Sequence, residues 1–323
     1  MFDGLLLGVD IGGTKVALAV ADRDGGVIVQ TRFPAEAERG PDWMLRRIVD
    51  ESHGLLDPLP GRLLGIGVAC GGPLDRLAGV ILGPPNLPGW DNVPVTARLS
   101  EALDAPAWVD NDANVAALGE SRFGAGRGVQ DMVYVTVSTG IGGGVIVGGQ
   151  VVHGVRDSGG EIGHQTLVPN GPRCGCGNDG CLEALASGPS IARRARQAAE
   201  ADPVGAGRLV AAVGGDVSQI TARHVADAAR AGDLFAGRLW AEAMEYLGLG
   251  IGNVITILSP QRVVIGGGLS AAGDLLFEPV RATVRRRVRL VPTDQVDIVP
   301  AALGQDSPLR GAIALAMDGL RRD

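Results

Sequence analysis

The sequence predicts an α/β protein made of two similar domains. Three observations carry that reading. A β-rich apolar run broken by a glycine turn spans 5–20 (LLLGVD-IGGTK-VALAV). The same pattern returns at 132–147 (MVYVTV-STGIGGG-VIV), so each domain is expected to open with a hairpin whose turn carries glycines and a hydroxyl. Elsewhere, short strand-like runs alternate with stretches of helical character, as α/β layers require.

Taken in order, the first hairpin is followed by a helix over 41–56 and a strand over 63–68 that ends in Cys70-Gly71-Gly72-Pro73. A helix over 93–103, a short strand over 107–109 and a helix from Asn111-Asp112 to about Glu120 complete the first half. After the second hairpin, helices are expected over 189–201 and 222–231, with a long apolar one over 234–258. That last run contains Asn253 and its most apolar part is short, so it reads as a buried core helix rather than a membrane span. A strand over 263–265 leads into Gly266-Gly267-Gly268, an arginine-rich helix covers 280–288, a strand 296–299, and a helix 308–320 closes the chain. No low-complexity linker separates the halves, and the boundary is placed near Asp112.

Composition narrows the function. With 46% hydrophobic but only 3% aromatic residues, the core is aliphatic. A net charge of −7 leaves no electrostatic footprint for nucleic acid. No uninterrupted apolar segment reaches the length of a membrane span. The start, Met1-Phe2-Asp3-Gly4, lacks the basic region of a secretory signal, so a cytoplasmic protein is expected. Lys15 is the one lysine among 29 basic residues, which points to a position that needs an ammonium.

His164, Cys174, Cys176 and Cys181 read H-x9-C-x-C-x4-C, a full tetrahedral zinc set. The alternative is a disulfide with a spare thiol, which fits small secreted chains. Four protein ligands leave no open position, so the ion is expected to shape a loop rather than activate water. Glu161 and Glu183 bracket the quartet without being needed as ligands. With the second ring N–H of His164 they can offer a convergent polar set to a sugar; the other reading makes both glutamates surface residues.

Three glycine segments suit phosphate chemistry. In Asp10-Ile11-Gly12-Gly13-Thr14-Lys15 the glycines expose backbone N–H groups, Thr14 adds a hydroxyl, and Lys15 can offset phosphate charge. Asp10 can hold Mg2+ directly or through water. A plain hairpin turn needs the glycines but not Asp, Thr and Lys together. Thr139, Gly140, Gly142 and Gly143 occupy the same place in the second repeat, and two such turns are more specific than either alone. Gly266 and Gly267 follow a strand and can pass the adenosine part of a nucleotide; alone they read as an ordinary strand-to-helix turn. Asp112, read alone, is a helix N-cap. Read with the phosphate turns, it is a general base that accepts a hydroxyl proton while Asn111 hydrogen-bonds the substrate.

These elements, in this order, resemble the ROK family of sugar kinases. The resemblance rests on LGVDIGGTK (7–15), GVACGGPLD (67–75), NLPGW (86–90), VDNDANVAALGE (109–120), STGIGGGVIVGG (138–149), EIGH (161–164), CGCGNDGCLEALASG (174–188) and VVIGGGLS (263–270). It implies two actin-like ATPase (ribonuclease H-like) domains around a central cleft. On this reading a small domain comprises 1–112 with a C-terminal helix at about 306–323, and a large domain with the zinc loop comprises 113–305. It implies Asp112 as catalytic base; Gly72, Asn111, Asp112, Glu161, His164 and Glu183 at sugar-contacting positions; and structural Zn2+ on His164, Cys174, Cys176 and Cys181. ATP with Mg2+ is implied along Asp10, Gly12, Gly13, Thr14, Lys15, Thr139, Gly140, Gly142, Gly143, Gly266 and Gly267. The activity implied is ATP-dependent phosphorylation of a hexose 6-hydroxyl, glucose foremost, in a homodimer or homotetramer. N-acetylmannosamine or N-acetylglucosamine kinase and fructokinase are the alternatives, with polyphosphate as a second possible donor. Many family glucokinases carry Ala-Pro-Gly-Pro where this chain has Cys70-Gly71-Gly72-Pro73, a departure that bears on the choice of hexose. Other family members are sugar-responsive repressors with a winged helix ahead of the kinase-like part; here the glycine turn begins at Asp10.

Overall fold

The apolar run at the start of the chain forms β1 (Leu5–Ile11), fully buried except at Asp10. The computed structural model describes residues 4–321; the terminal residues of the expected small domain, 1–3 and 322–323, lie outside it. Turning at Gly12-Gly13, the chain continues as β2 (Lys15–Asp22) and β3 (Val27–Pro34). It then forms α1 (Gly40–Leu56), β4 (Leu63–Cys70), the short hairpin β5 (Leu74–Asp75) and β6 (Val80–Ile81), α2 (Val95–Leu103), β7 (Ala107–Asn111) and α3 (Asp112–Phe123). The sheet order is β3-β2-β1-β4-β7. β1, β4 and β7 are parallel, and Ile11, Cys70 and Asn111 fall level with one another. The carboxyl ends of three parallel strands therefore bring the Asp10 turn, the Cys70–Pro73 loop and Asn111-Asp112 to one sheet edge, where open α/β sheets place their ligands.

The described chain divides into two compact units. The first runs to Gln130, adds Gly144–Gly160 and resumes at Ala301; the second comprises Asp131–Gly143 and Glu161–Pro300. The chain enters the second unit in β8 (Met132–Val137), turns at Ser138–Gly140 into β9 (Ile141–Val147), and reaches β10 (Gln150–Val151) in the first unit. The second unit goes on through α4 (Leu182–Ala186), α5 (Gly188–Ala201), α6 (Gly207–Ala211), α7 (Ala222–Arg230), α8 (Leu234–Leu258), β11 (Arg262–Gly266), α9 (Asp274–Arg287) and β12 (Asp297–Pro300). β8, β11 and β12 pair in parallel. In α8, Gly248 lets Thr283 approach and Gly250 admits Leu182, where added Cβ atoms would meet them at 2.6 and 2.5 Å. Among the described residues no helix is long and apolar enough to cross a membrane.

Helix α9 begins at Asp274, six residues before the start read from the sequence. Pro279 disguised it, because a proline lacks the N–H that would bond four residues back and usually marks a boundary. Here the freed carbonyl of Leu275 accepts the indole N–H of Trp240 at 2.9 Å instead.

The chain closes with α10 (Ser307–Gly319), which returns to the first unit. One face of the first sheet packs against α1 and α2 through Met44, Leu45, Ile48, Leu99 and Leu103. The other face receives Leu309, Ile313 and Ala316 of α10. Glycine makes that approach possible: a Cβ on Gly67 would overlap the Ala312 carbonyl, and one on Gly119 would come within 2.5 Å of the Ser307 carbonyl. Helix α3 thus belongs with the first unit, so that unit reaches past Asp112.

Candidate active site

In the first unit, the turn after β1 closes with the Gly12 N–H donating to the Lys15 carbonyl at 3.0 Å. Gly13 lies against Asn86 of the NLPGW segment, and a Cβ there would come within 2.7 Å of the Asn86 carbonyl. Lys15 Nζ reaches Gln305 Oε1 at 3.4 Å, and Arg32 is paired with Asp306. Asp10 sits among these charges. Burial, then the negative charge of Asp112, pushes its carboxyl up to about 7, while Lys15 and Arg32 pull the other way. A half-protonated buried carboxylate beside a second acid is a ready ligand for a divalent cation, which would replace the proton. Asp10 therefore fits the magnesium role, with Lys15 beside it for phosphate charge.

At the end of β7 the capping duty falls to Asn111. Its Oδ1 accepts the Ala113 N–H at 2.9 Å, and Asp112 is the first residue of α3. The Ala113 N–H also lies 2.9 Å from Asp112 Oδ1. Asp112 as a whole is exposed, yet protein atoms crowded around its carboxylate cost that charge part of its hydration. That desolvation raises its pKa, against the lowering effect of the Ala113 N–H and its own amide. The Asn111 amide faces Gly72, where a Cβ would stand 3.5 Å from Nδ2, and the Gly72–Pro73 peptide is cis. Gly72, Asn111 and Asp112 are thus brought together.

Two charged groups that sequence reading left without a role support this corner. Asp110, only 3% exposed, accepts His153 Nε2 at 2.7 Å, the Asn111 N–H at 2.7 Å and the Asn114 amide at 3.2 Å. Glu120, fully buried, accepts the Ala125 and Ala302 N–H groups on one oxygen, and the Leu303 N–H and Ser307 hydroxyl on the other. It fastens the end of α3 to the loop that leads into α10. The available signal was the acidic residue at each end of VDNDANVAALGE, since a charge in an otherwise apolar helix must find partners when buried.

In the second unit, the donor atoms of His164, Cys174, Cys176 and Cys181 all lie within 4.8 Å of one another. Cys174 Sγ is 3.6 Å from His164 Nδ1, and Cys176 Sγ is 3.7 Å from Cys181 Sγ. A tetrahedron with metal–ligand bonds of about 2.0–2.3 Å has edges of roughly 3.5–3.8 Å, so the quartet fits zinc. His164 turns Nδ1 to the quartet and Nε2 toward Glu161, whose Oε2 is 3.8 Å away. The ring therefore has one face for metal and one for a ligand. Glu183, in α4 two residues past Cys181, accepts the Ile141 N–H on Oε2 at 2.9 Å. The Thr139–Gly143 turn is closed by the Ser138 N–H on the Gly140 carbonyl at 2.9 Å, and Thr139 is exposed.

Gly267 takes φ +81°, and a Cβ there would strike the Val137 backbone at 2.5 Å. Beyond it opens a cavity of about 490 Å³ whose lining includes Gly268, Leu269, Ala226, Arg230, Asp227 and Trp240. Small and apolar walls with a few charged groups at hand suit a planar nucleobase.

A model of the ROK family matches residues 6–319. The glucokinase of Thermotoga maritima is 36% identical over 310 residues, covering 96% of each chain. The crystal structure of a ROK family glucokinase from Streptomyces griseus in complex with glucose and AMPPNP superposes with a TM-score of 0.82 at 34% identity, over 98% of this chain and all of that one. The ROK hexokinase of Thermus thermophilus superposes with a TM-score of 0.83 at 34% identity, over 99% of this chain and all of that one.

Proposed function

The chain belongs to the ROK family, and from that premise we propose that it is an ATP-dependent glucokinase, moving the γ-phosphoryl group of ATP to the 6-hydroxyl of glucose. The observation that carries the reading is the placement of Asp10, the Cys70–Pro73 loop and Asn111-Asp112 at the carboxyl ends of three parallel strands, where Ile11, Cys70 and Asn111 are level. A proton acceptor and a cation- and phosphate-holding turn then share one sheet edge.

Asp112 takes the proton of the attacking hydroxyl. Its raised pKa brings it nearer neutrality, where a general base works best. Asn111, with its amide toward Gly72, hydrogen-bonds the sugar. Glu161, the Nε2 edge of His164 and Oε1 of Glu183, the oxygen not bonded to the Ile141 N–H, offer further partners to the sugar hydroxyls. His164, Cys174, Cys176 and Cys181 hold zinc, which when bound fixes the loop that carries them. Asp10 holds magnesium, which when bound with ATP neutralises charge on the transferring group. Lys15, Thr14 and the glycine segments at Gly12-Gly13 and Thr139–Gly143 hold phosphate oxygens. Gly266 and Gly267 admit the nucleoside, with the base in the cavity beyond.

The deciding experiment measures sugar phosphate formed over a panel of glucose, fructose, N-acetylglucosamine and N-acetylmannosamine, with ATP (where ADP release reads the same transfer) and with polyphosphate as donors. Glucose with ATP is expected to give the highest kcat/KM. No sugar-dependent ADP from any of the four sugars would sink the kinase reading, and a preference for an acetamido sugar would move the activity to an amino-sugar kinase.

A further inference from the structure

Glu183 joins two parts of the second unit. Oε1 stands 3.7 Å from Cys174 Sγ in the metal quartet, while Oε2 accepts the Ile141 N–H at 2.9 Å. Ile141 is the first residue of β9, directly after the glycine turn from β8. Gly140, its neighbour, has no space for a side chain, since a Cβ would stand 2.6 Å from the same Oε2. Two more backbone elements grip the turn. The Gly188 N–H donates to the Ser138 carbonyl at 2.9 Å, and a Cβ on Gly163 would overlap the Ile141 carbonyl. Gly163 precedes the quartet's histidine, and Gly188 follows α4. The chain around the quartet thus clasps the turn, and Glu183 is its charged contact. A carboxylate accepting a backbone N–H makes one of the stronger hydrogen bonds in a protein. A glutamate devoted only to sugar hydroxyls would keep both oxygens open, whereas here one is committed to the backbone.

We propose that Glu183 is a positioning residue for the nucleotide-side turn, its two oxygens dividing their work between the turn and the sugar. Through it the zinc-shaped segment sets the course of the Thr139–Gly143 backbone that faces phosphate. The nature of the ligands rests on the glucokinase reading above; the tie between Glu183 and Ile141 does not.

The test uses the full-length, zinc-loaded protein. Glu183→Gln keeps an oxygen that can accept the Ile141 N–H, while Glu183→Leu removes it. Amide hydrogen exchange in the ligand-free protein reads the tie directly. Exchange at Ile141 is expected to be roughly tenfold faster in Glu183→Leu and within about twofold of wild type in Glu183→Gln. Calorimetric titration with a non-hydrolysable ATP analogue reads the consequence: Kd rises roughly tenfold in Glu183→Leu and little in Glu183→Gln. Gly140→Ala crowds the same oxygen from the other side and is expected to reproduce the Glu183→Leu behaviour with the glutamate intact. It carries the test alone if Glu183→Leu loses zinc or fails to fold. Wild-type Ile141 exchange and nucleotide Kd in zinc-replete Glu183→Leu, or in Gly140→Ala, overturn the proposal. Absence of glucose-dependent ADP release in the wild type would defeat the glucokinase reading and leave the exchange result standing.

Discussion

His153 Nε2 lies 2.7 Å from Asp110 Oδ2, and Asp110 Oδ1 in turn accepts the Asn111 N–H. The loop after β10 therefore braces the strand end that presents Asn111 and Asp112. Replacing His153 with Ala leaves a buried carboxylate short of a hydrogen-bond partner, at a cost of about 1–3 kcal/mol. The expected result is a lower melting temperature and a fall in kcat of roughly tenfold, with KM for ATP nearly unchanged. Thermal melts and steady-state kinetics check both.

Asp112→Asn removes the proton acceptor while keeping the shape of the first turn of α3. A positioned general base contributes about 10²–10⁴-fold, so kcat is expected to drop by that factor. Zinc content and melting temperature should stay at wild-type levels. Turnover near that of the wild type would falsify the assignment of Asp112.

The Asp10 carboxyl, held at about 7 against an ordinary 3.8, makes stability depend on pH. Between those values the folded chain keeps a proton that the unfolded chain has lost, so this group's contribution falls as pH rises from 4 to 7 and is flat above. Asp10→Asn, always neutral, removes that slope. In the ligand-free protein, the variant's stability relative to wild type should rise across pH 4–7, as read by denaturant unfolding at several pH values.

Glu120→Gln turns one acceptor oxygen into a donor that faces N–H or O–H groups from Ala125 and Ala302 or from Leu303 and Ser307. Leaving two buried donors unmatched is expected to cost about 2–4 kcal/mol. Chemical denaturation should show the loss, and the zinc content should not change.

Cys181→Ser removes a fully buried thiolate from the quartet. Bound zinc is expected to fall well below one per chain, with glucose affinity weakened by at least about tenfold, since ligand loss and local folding are coupled. Metal analysis and glucose titration measure the two together; full glucose affinity in a zinc-free variant would break the link between them.

What was legible in the sequence is local chemistry. The glycine turns, the strand ends bearing Asp10 and Asn111-Asp112, and the close spacing of Cys174, Cys176 and Cys181 are patterns within a few residues, and the folded chain brings His164 to the cysteines as the motif requires. What was not legible depends on partners far along the chain. Asp110 needs His153, Glu120 needs Ala302–Ser307, and Glu183 needs Ile141, separations no periodicity encodes. The start of α9 was hidden for a related reason. Pro279 breaks a helix by local rules, but a tryptophan on another helix supplies the missing donor. Asn111 and Asp112 show the limit from the other side: both can cap a helix, and only the folded backbone gives the cap to Asn111.

The return of α10 to the first unit bears on how the protein is made. The second unit's main segment, Glu161–Pro300, is translated before Ala301 and α10, which complete the first unit. Until Leu309, Ile313 and Ala316 emerge, Leu6, Ala17 and Ala19 on the first sheet have no cover. The unit that begins first is thus completed last, and the inserted unit has all of its chain while the N-terminal one still waits for α10. A chain truncated after Pro300 and released from the ribosome should therefore hold a protease-resistant second unit and an unfinished, chaperone-dependent first one.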